Sequence, residues 1–147
     1  MARSFSPLVL GFAILSTGAG SATAQSIPDM RGSWTGTGKT IVNGPAPHHK
    51  DNPAARPEGN LRLSEVTFTI TVEGQQDVRF WGKIASAART EPVIGAIAAD
   101  GKHFRIVLQE NGMLDGTMLG DDRFEVMYSD AKPGITAVGT NVYTRQK

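Results

Sequence analysis

The 147-residue sequence contains no cysteine. That excludes a disulfide scaffold, a thiolate metal site, a cysteine nucleophile and lipid attachment through an N-terminal cysteine. It has no excess of either charge, with 15 Lys and Arg against 14 Asp and Glu. Proteins that bind nucleic acid regardless of sequence carry a basic stripe; none is present, and no nucleic-acid partner is expected. Long apolar runs are missing too. Residues 8–15 (LVLGFAIL) are too few to cross a bilayer, and no later segment approaches the roughly 18 residues a spanning helix needs. No segment shows the 3.6-residue spacing of an amphipathic helix.

What is present begins with a processing segment. Arg3 precedes the apolar stretch 8–15, and small residues follow to Ala22-Thr23-Ala24, an A-x-A cleavage pattern. The pattern predicts a signal peptide over residues 1–24, cleavage after Ala24, and one domain over 25–147. The expected location is periplasmic or secreted, with no membrane attachment after cleavage. ATP-dependent chemistry is not expected there.

From Ser33 onward the period is two. Residues 65–73 (EVTFTITVE) alternate Val66, Phe68, Ile70 and Val72 with threonines, the mark of a half-buried strand. Gly74-Gln75-Gln76-Asp77 reads as the next turn, after which Phe80, Gly82 and Ile84 share the buried parity. Further strands are expected over 93–98, opened by Pro92, and over 103–109, 113–119, 123–129 and 135–145. Asn111-Gly112 is a strong hairpin signal between two of them. With residues 33–42 first, the count is about eight sequence-adjacent strands. The expected fold is all-β, an antiparallel up-and-down barrel. Gly36, Gly38, Gly82, Gly95, Gly116 and Gly139 fall inside strands, where glycine answers a bend or a close approach. Residues 43–60 stand apart as a long loop carrying Pro45, Pro47, Pro53, Pro57, His48 and His49.

Chemical motifs are scarce. Gly36-Thr37-Gly38-Lys39-Thr40 imitates the end of a phosphate-binding loop, but position 33 is Ser and a strand, not a helix, continues through Ile41. His48 and His49 are weak metal candidates. Adjacent imidazoles in a proline-rich loop rarely converge on one ion, and no metal or cofactor is expected. Asp115, Asp121, Asp122 and Asp130 sit mostly in turns, and no serine sits in a nucleophile motif. Catalysis is therefore not expected. A barrel-mouth enzyme would need Glu125 or Asp115 turned inward.

The chain ends are more informative. Trp34 opens the first strand and Arg145 closes the last, and closure makes those strands neighbours. An indole under a guanidinium would seal that end through a cation–π contact. Gly32-Ser33-Trp34-Thr35 and Val138-Gly139-Thr140-Asn141-Val142-Tyr143-Thr144-Arg145 resemble the first and last strands of avidins. These belong, with lipocalins, to the calycin barrels. The layout is also similar to small exported proteins of proteobacteria. The resemblance implies a barrel with its ligand in the mouth, and Asn141 matches a ligand-contacting position. In the middle the pattern departs: Gly36-Thr37-Gly38 stands where avidins place Asn and Ser, and Trp81 is the only other tryptophan.

The expected function is non-catalytic binding of a small, partly apolar molecule in the barrel mouth. Asn141 would orient it, with Trp34 and Tyr143 supplying apolar floor and wall. The alternative is a structural or interaction module, such as an inhibitor of an exported partner, using residues 43–60. Outward apolar positions, Ile94, Val138 and Val142 with Met118 and Met127 nearby, lead to the expectation of a homo-oligomer packed through the outer face.

Overall fold

Alternation between apolar and polar residues sets one face of every strand against the core. The computed structural model describes residues 26–44, 61–133 and 135–147, which form eight strands and no helix. The strands are β1 (Gly32–Asn43), β2 (Leu61–Gln76), β3 (Arg79–Ala85), β4 (Thr90–Ile97), β5 (His103–Leu108), β6 (Met113–Gly120), β7 (Arg123–Lys132) and β8 (Ile135–Arg145). Each pairs antiparallel with the next, and β8 pairs back onto β1. The molecule is a closed up-and-down barrel with no free sheet edge.

The register shows how it closes. Paired residues trace a path Gly74, Trp81, Ile94, Val107, Met113, Ser129, Val138, Ile41, Leu63. The path leaves β2 at Gly74 and returns to it at Leu63. That stagger tilts the strands and allows eight of them to form a barrel filled by side chains or by one small ligand.

Several local expectations are corrected. β2 runs through Gly74 to Gln76 with a bulge between Val72 and Gly74, and Asp77 (φ 54°) turns the chain instead. Pro92 lies within β4, not at its start. The β5–β6 hairpin is not a two-residue Asn-Gly turn. The Leu108 N–H donates to the Gly112 carbonyl, and Asn111 (φ 77°) takes the left-handed position that ends a three-residue loop. β7 extends to Lys132, so Asp130 is a strand residue and not a turn residue. Met118 is buried: it shares parity with Leu114 and Gly116 and faces the core.

All the strand glycines but Gly38 answer close approach. Gly36, Gly38, Gly82, Gly95, Gly116 and Gly139 are absent from the positive-φ glycines. A Cβ at Gly95 would collide with the Phe80 ring, and one at Gly116 with the Phe104 ring. These two phenylalanines, with Trp34, Phe124 and Tyr143, form one aromatic layer across one end of the barrel. Trp34 to Phe124 is 4.8 Å between centroids, Phe124 to Tyr143 is 5.1 Å and Phe104 to Phe124 is 5.1 Å.

Candidate ligand-binding site

The aromatic layer seals one end, and among the described residues the interior space lies toward the other end. Beneath the seal, residues 26–31 cross the barrel bottom. Met30 is inserted there and almost wholly buried, its N–H donating to Gln75 Oε1 at 2.7 Å. The Trp34 indole N–H donates to the Met30 carbonyl at 2.8 Å. Arg145 lies 3.9 Å above the Trp34 ring. Its guanidinium donates to the carbonyls of Arg31 (2.5 Å), Asp29 (2.7 Å) and Asp121 (3.0 Å), and to Asp122 Oδ1 at 2.8 Å. Trp34 is thus enclosed on every side. It is no part of the cavity wall, which corrects its expected role as ligand floor.

Above the seal lies a cavity of about 80 Å³. That is room for roughly half a dozen waters. Its belly is apolar, with Val66, Phe68, Ile84, Leu108, Leu114 and Val126 in the wall. Asn141 and Tyr143 line it from β8, as the parity of that strand requires. The Asn141 amide sits over Gly36 and Gly38 of β1. A Cβ at Gly36 would collide with the Val142 carbonyl and the Asn141 amide oxygen, so glycine there makes the amide's position available.

Both amide atoms of Asn141 are buried without a hydrogen-bond partner among the described residues. Leaving such atoms unpaired costs about 1–3 kcal/mol. Tyr143 is buried beside it. Burial holds the Tyr143 hydroxyl well above its usual pKa, and the neighbouring Asn141 amide acts the other way without a hydrogen bond of normal geometry.

Charge is confined to the mouth. Glu91 is buried there, accepts from the Glu110 N–H at 3.2 Å and lies 4.0 Å from Arg89, which also pairs with Glu110. The Asp130 side chain is fully buried, with Lys132 Nζ at 3.1 Å and the Tyr128 hydroxyl donating at 3.5 Å. Burial first, then the Asp130 and Glu91 charges, push the Tyr128 hydroxyl strongly up. Arg62 completes the mouth and is itself nearly buried.

Sequence reasoning missed Arg62, Glu91, Tyr128 and Asp130. The signal was available: Arg62 shares parity with Val66, Glu91 with Val93, and Tyr128 and Asp130 with Val126. For Arg62, Glu91 and Asp130 it lies outside the expected strands, because β2, β4 and β7 run further than their apolar alternation; Tyr128 lies inside the expected strand, and its parity alone marks it. Asp115 and Glu125, named as the carboxylates an enzyme would need, face outward. His103 is exposed and bound to Asp100 at 2.5 Å. Among the described residues no group of three or more His, Asp or Glu side chains could hold a metal. His48 and His49, the signal segment 1–24, and all but the first two residues of the interaction-loop alternative at residues 43–60 lie outside the described residues; Asn43 is the last residue of β1.

The described residues define a closed eight-stranded antiparallel barrel with a sealed end and an interior cavity. No protein-family model and no curated protein matches the sequence. Among solved structures it is similar to one described as a surface lipoprotein, at 12% identity and a TM-score of 0.40. That match covers 81% of this chain and 66% of the other, so this chain spans a little under two thirds of that protein's length.

Proposed function

We propose that this is an exported, calycin-type barrel that binds one small, partly apolar, uncharged molecule without acting on it chemically. The observation that carries the reading is the buried, unpartnered Asn141 amide at the inner end of an otherwise apolar cavity. A ligand group that both donates and accepts would recover the hydrogen bonds that water would otherwise supply. The inner end holds no charged side chain, since Arg62, Arg89 and Glu91 all stand at the mouth. A charged group would lose its hydration there without compensation, so the ligand enters with a neutral polar head first. The Arg145–Trp34 stack and the matching end strands support the calycin assignment. The A-x-A segment supports export.

Calorimetric titration with benzamide and toluene tests this reading. Wild type is expected to bind benzamide at one site and more tightly than toluene. Asn141→Leu should reverse that order, and Val126→Trp should abolish both by filling the belly. Equal affinities for the two compounds in wild type and in Asn141→Leu would remove the proposal.

A further inference from the structure

Closure divides the outward apolar positions: Ile94 lies on β4, four strands from β8 in a ring of eight and opposite Val138 and Val142. The more selective surface is inside the barrel, where the two ends of the Asn141 amide are not equally placed. Oδ1 lies over Gly36. An added Cβ there would stand 2.5 Å from it, and a Cα hydrogen of Gly36 points along the same line. Gly36 is not part of the cavity wall. Nδ2 lies over Gly38, which is, with 3.5 Å left to an added Cβ. A weak C–H···O contact suits the oxygen at Gly36 and leaves the N–H end turned to the cavity.

The second polar group at this depth is also a donor. Tyr143 shares the inward parity of Asn141 on β8, and its ring stacks on Phe124 at 5.1 Å between centroids. No hydrogen bond of normal geometry holds its hydroxyl among the described residues, and burial keeps it protonated. It therefore offers an O–H and not an oxyanion. The inward hydroxyls of Thr40 and Ser64, paired across β1 and β2, stand nearer the mouth.

We propose that the inner end recognises a carbonyl oxygen through the Asn141 Nδ2–H and the Tyr143 O–H together, so that the ligands are small apolar ketones, aldehydes and amides that enter oxygen first. This rests on the binding reading above and narrows it: the accepting half of the ligand head decides affinity. A carbonyl oxygen has two lone pairs and takes both donors. A carboxylate would take them too, but no cation stands at this end to offset its lost hydration. An amine head would have to reach Oδ1, which is turned to Gly36 outside the wall. Two donors on one oxygen in apolar surroundings polarise the carbonyl, an effect that apolar packing alone does not produce.

Calorimetric titration with acetophenone, aniline, benzamide and toluene tests this, with infrared spectra of bound acetophenone. Acetophenone, whose head only accepts, should bind wild type about tenfold more tightly than toluene. Aniline, whose head mainly donates, should bind no more tightly than toluene. The carbonyl stretch of bound acetophenone should fall below its frequency in hexane. Tyr143→Phe should weaken acetophenone about tenfold and leave toluene unchanged. Asn141→Asp, which exchanges the amide donor for an acceptor at the same shape, should favour aniline over acetophenone. Wild type and Tyr143→Phe suffice if the buried aspartate prevents folding. Benzamide bound more tightly than toluene while acetophenone is not would overturn this proposal and leave the binding reading standing. Acetophenone bound with its stretch unshifted would overturn it as well. Benzamide and acetophenone both no better than toluene would remove the two together.

Discussion

The guanidinium of Arg145 rests on the Trp34 ring while its donors point into three carbonyls and one carboxylate. The residue therefore joins β8, residues 29–31 and the β6–β7 turn at one point. Lysine offers a point charge and no planar fork, so it cannot stack and bond at the same time. Arg145→Ala should lower stability by about 2–4 kcal/mol, from the lost charge-assisted hydrogen bonds and cation–π contact together. Arg145→Lys should recover only part of that loss. Chemical denaturation followed by Trp34 fluorescence reads both, and an Arg145→Lys variant as stable as wild type would contradict this account. At the same scale Asn141 is the opposite case: a polar group whose partners the chain leaves out.

The strands show why two glycines two residues apart are not equivalent. At Gly36 an added Cβ meets the Asn141 amide oxygen and the Val142 carbonyl, and the carbonyl cannot move without shifting β8. At Gly38 the nearest atom is Asn141 Nδ2 at 3.5 Å, an ordinary contact. Gly36→Ala should therefore destabilise the barrel by about 1–3 kcal/mol, the usual cost of overpacking. Gly38→Ala should be close to neutral. Thermal unfolding of the two variants separates these outcomes, and equal losses would show that bending, not side-chain room, is what both positions require.

For the whole molecule, burial of the interior makes stability depend on alkaline pH. The chain has two tyrosines, Tyr128 and Tyr143. Both line the cavity, and both have hydroxyl pKa values raised mainly by burial. A group whose folded-state pKa exceeds its unfolded value contributes stability that is complete below the unfolded value, about 10 for tyrosine. That contribution is lost as pH rises above it toward the folded value. Tyrosinate absorbance should therefore stay low at about pH 10.5, where free tyrosine is mostly ionised. It should appear only together with loss of circular dichroism. Tyr143 titrating near 10 in the folded protein would show that the cavity is open to water down to its inner end.

The sequence by itself determined the strand order, the inward parity and the sealed end. Each follows from local rules: period-two alternation, polar turns, and closure that brings Trp34 beside Arg145. It also placed Asn141 and Tyr143 on the inner face, because parity along an unbroken strand needs no tertiary information. Tertiary structure decided how far the strands run, and with that which polar residues stand inside. Asp130 reads as a turn residue, and Arg62 and Glu91 fall outside the expected strands, because polarity favours water unless neighbouring strands extend past such residues and supply partners. It also decided where a side chain ends up once its direction is known. Trp34 points inward as expected, yet Met30 and Arg145 enclose it and remove it from the cavity. Ile94 and Val138 both point outward, yet ring closure puts them on opposite walls.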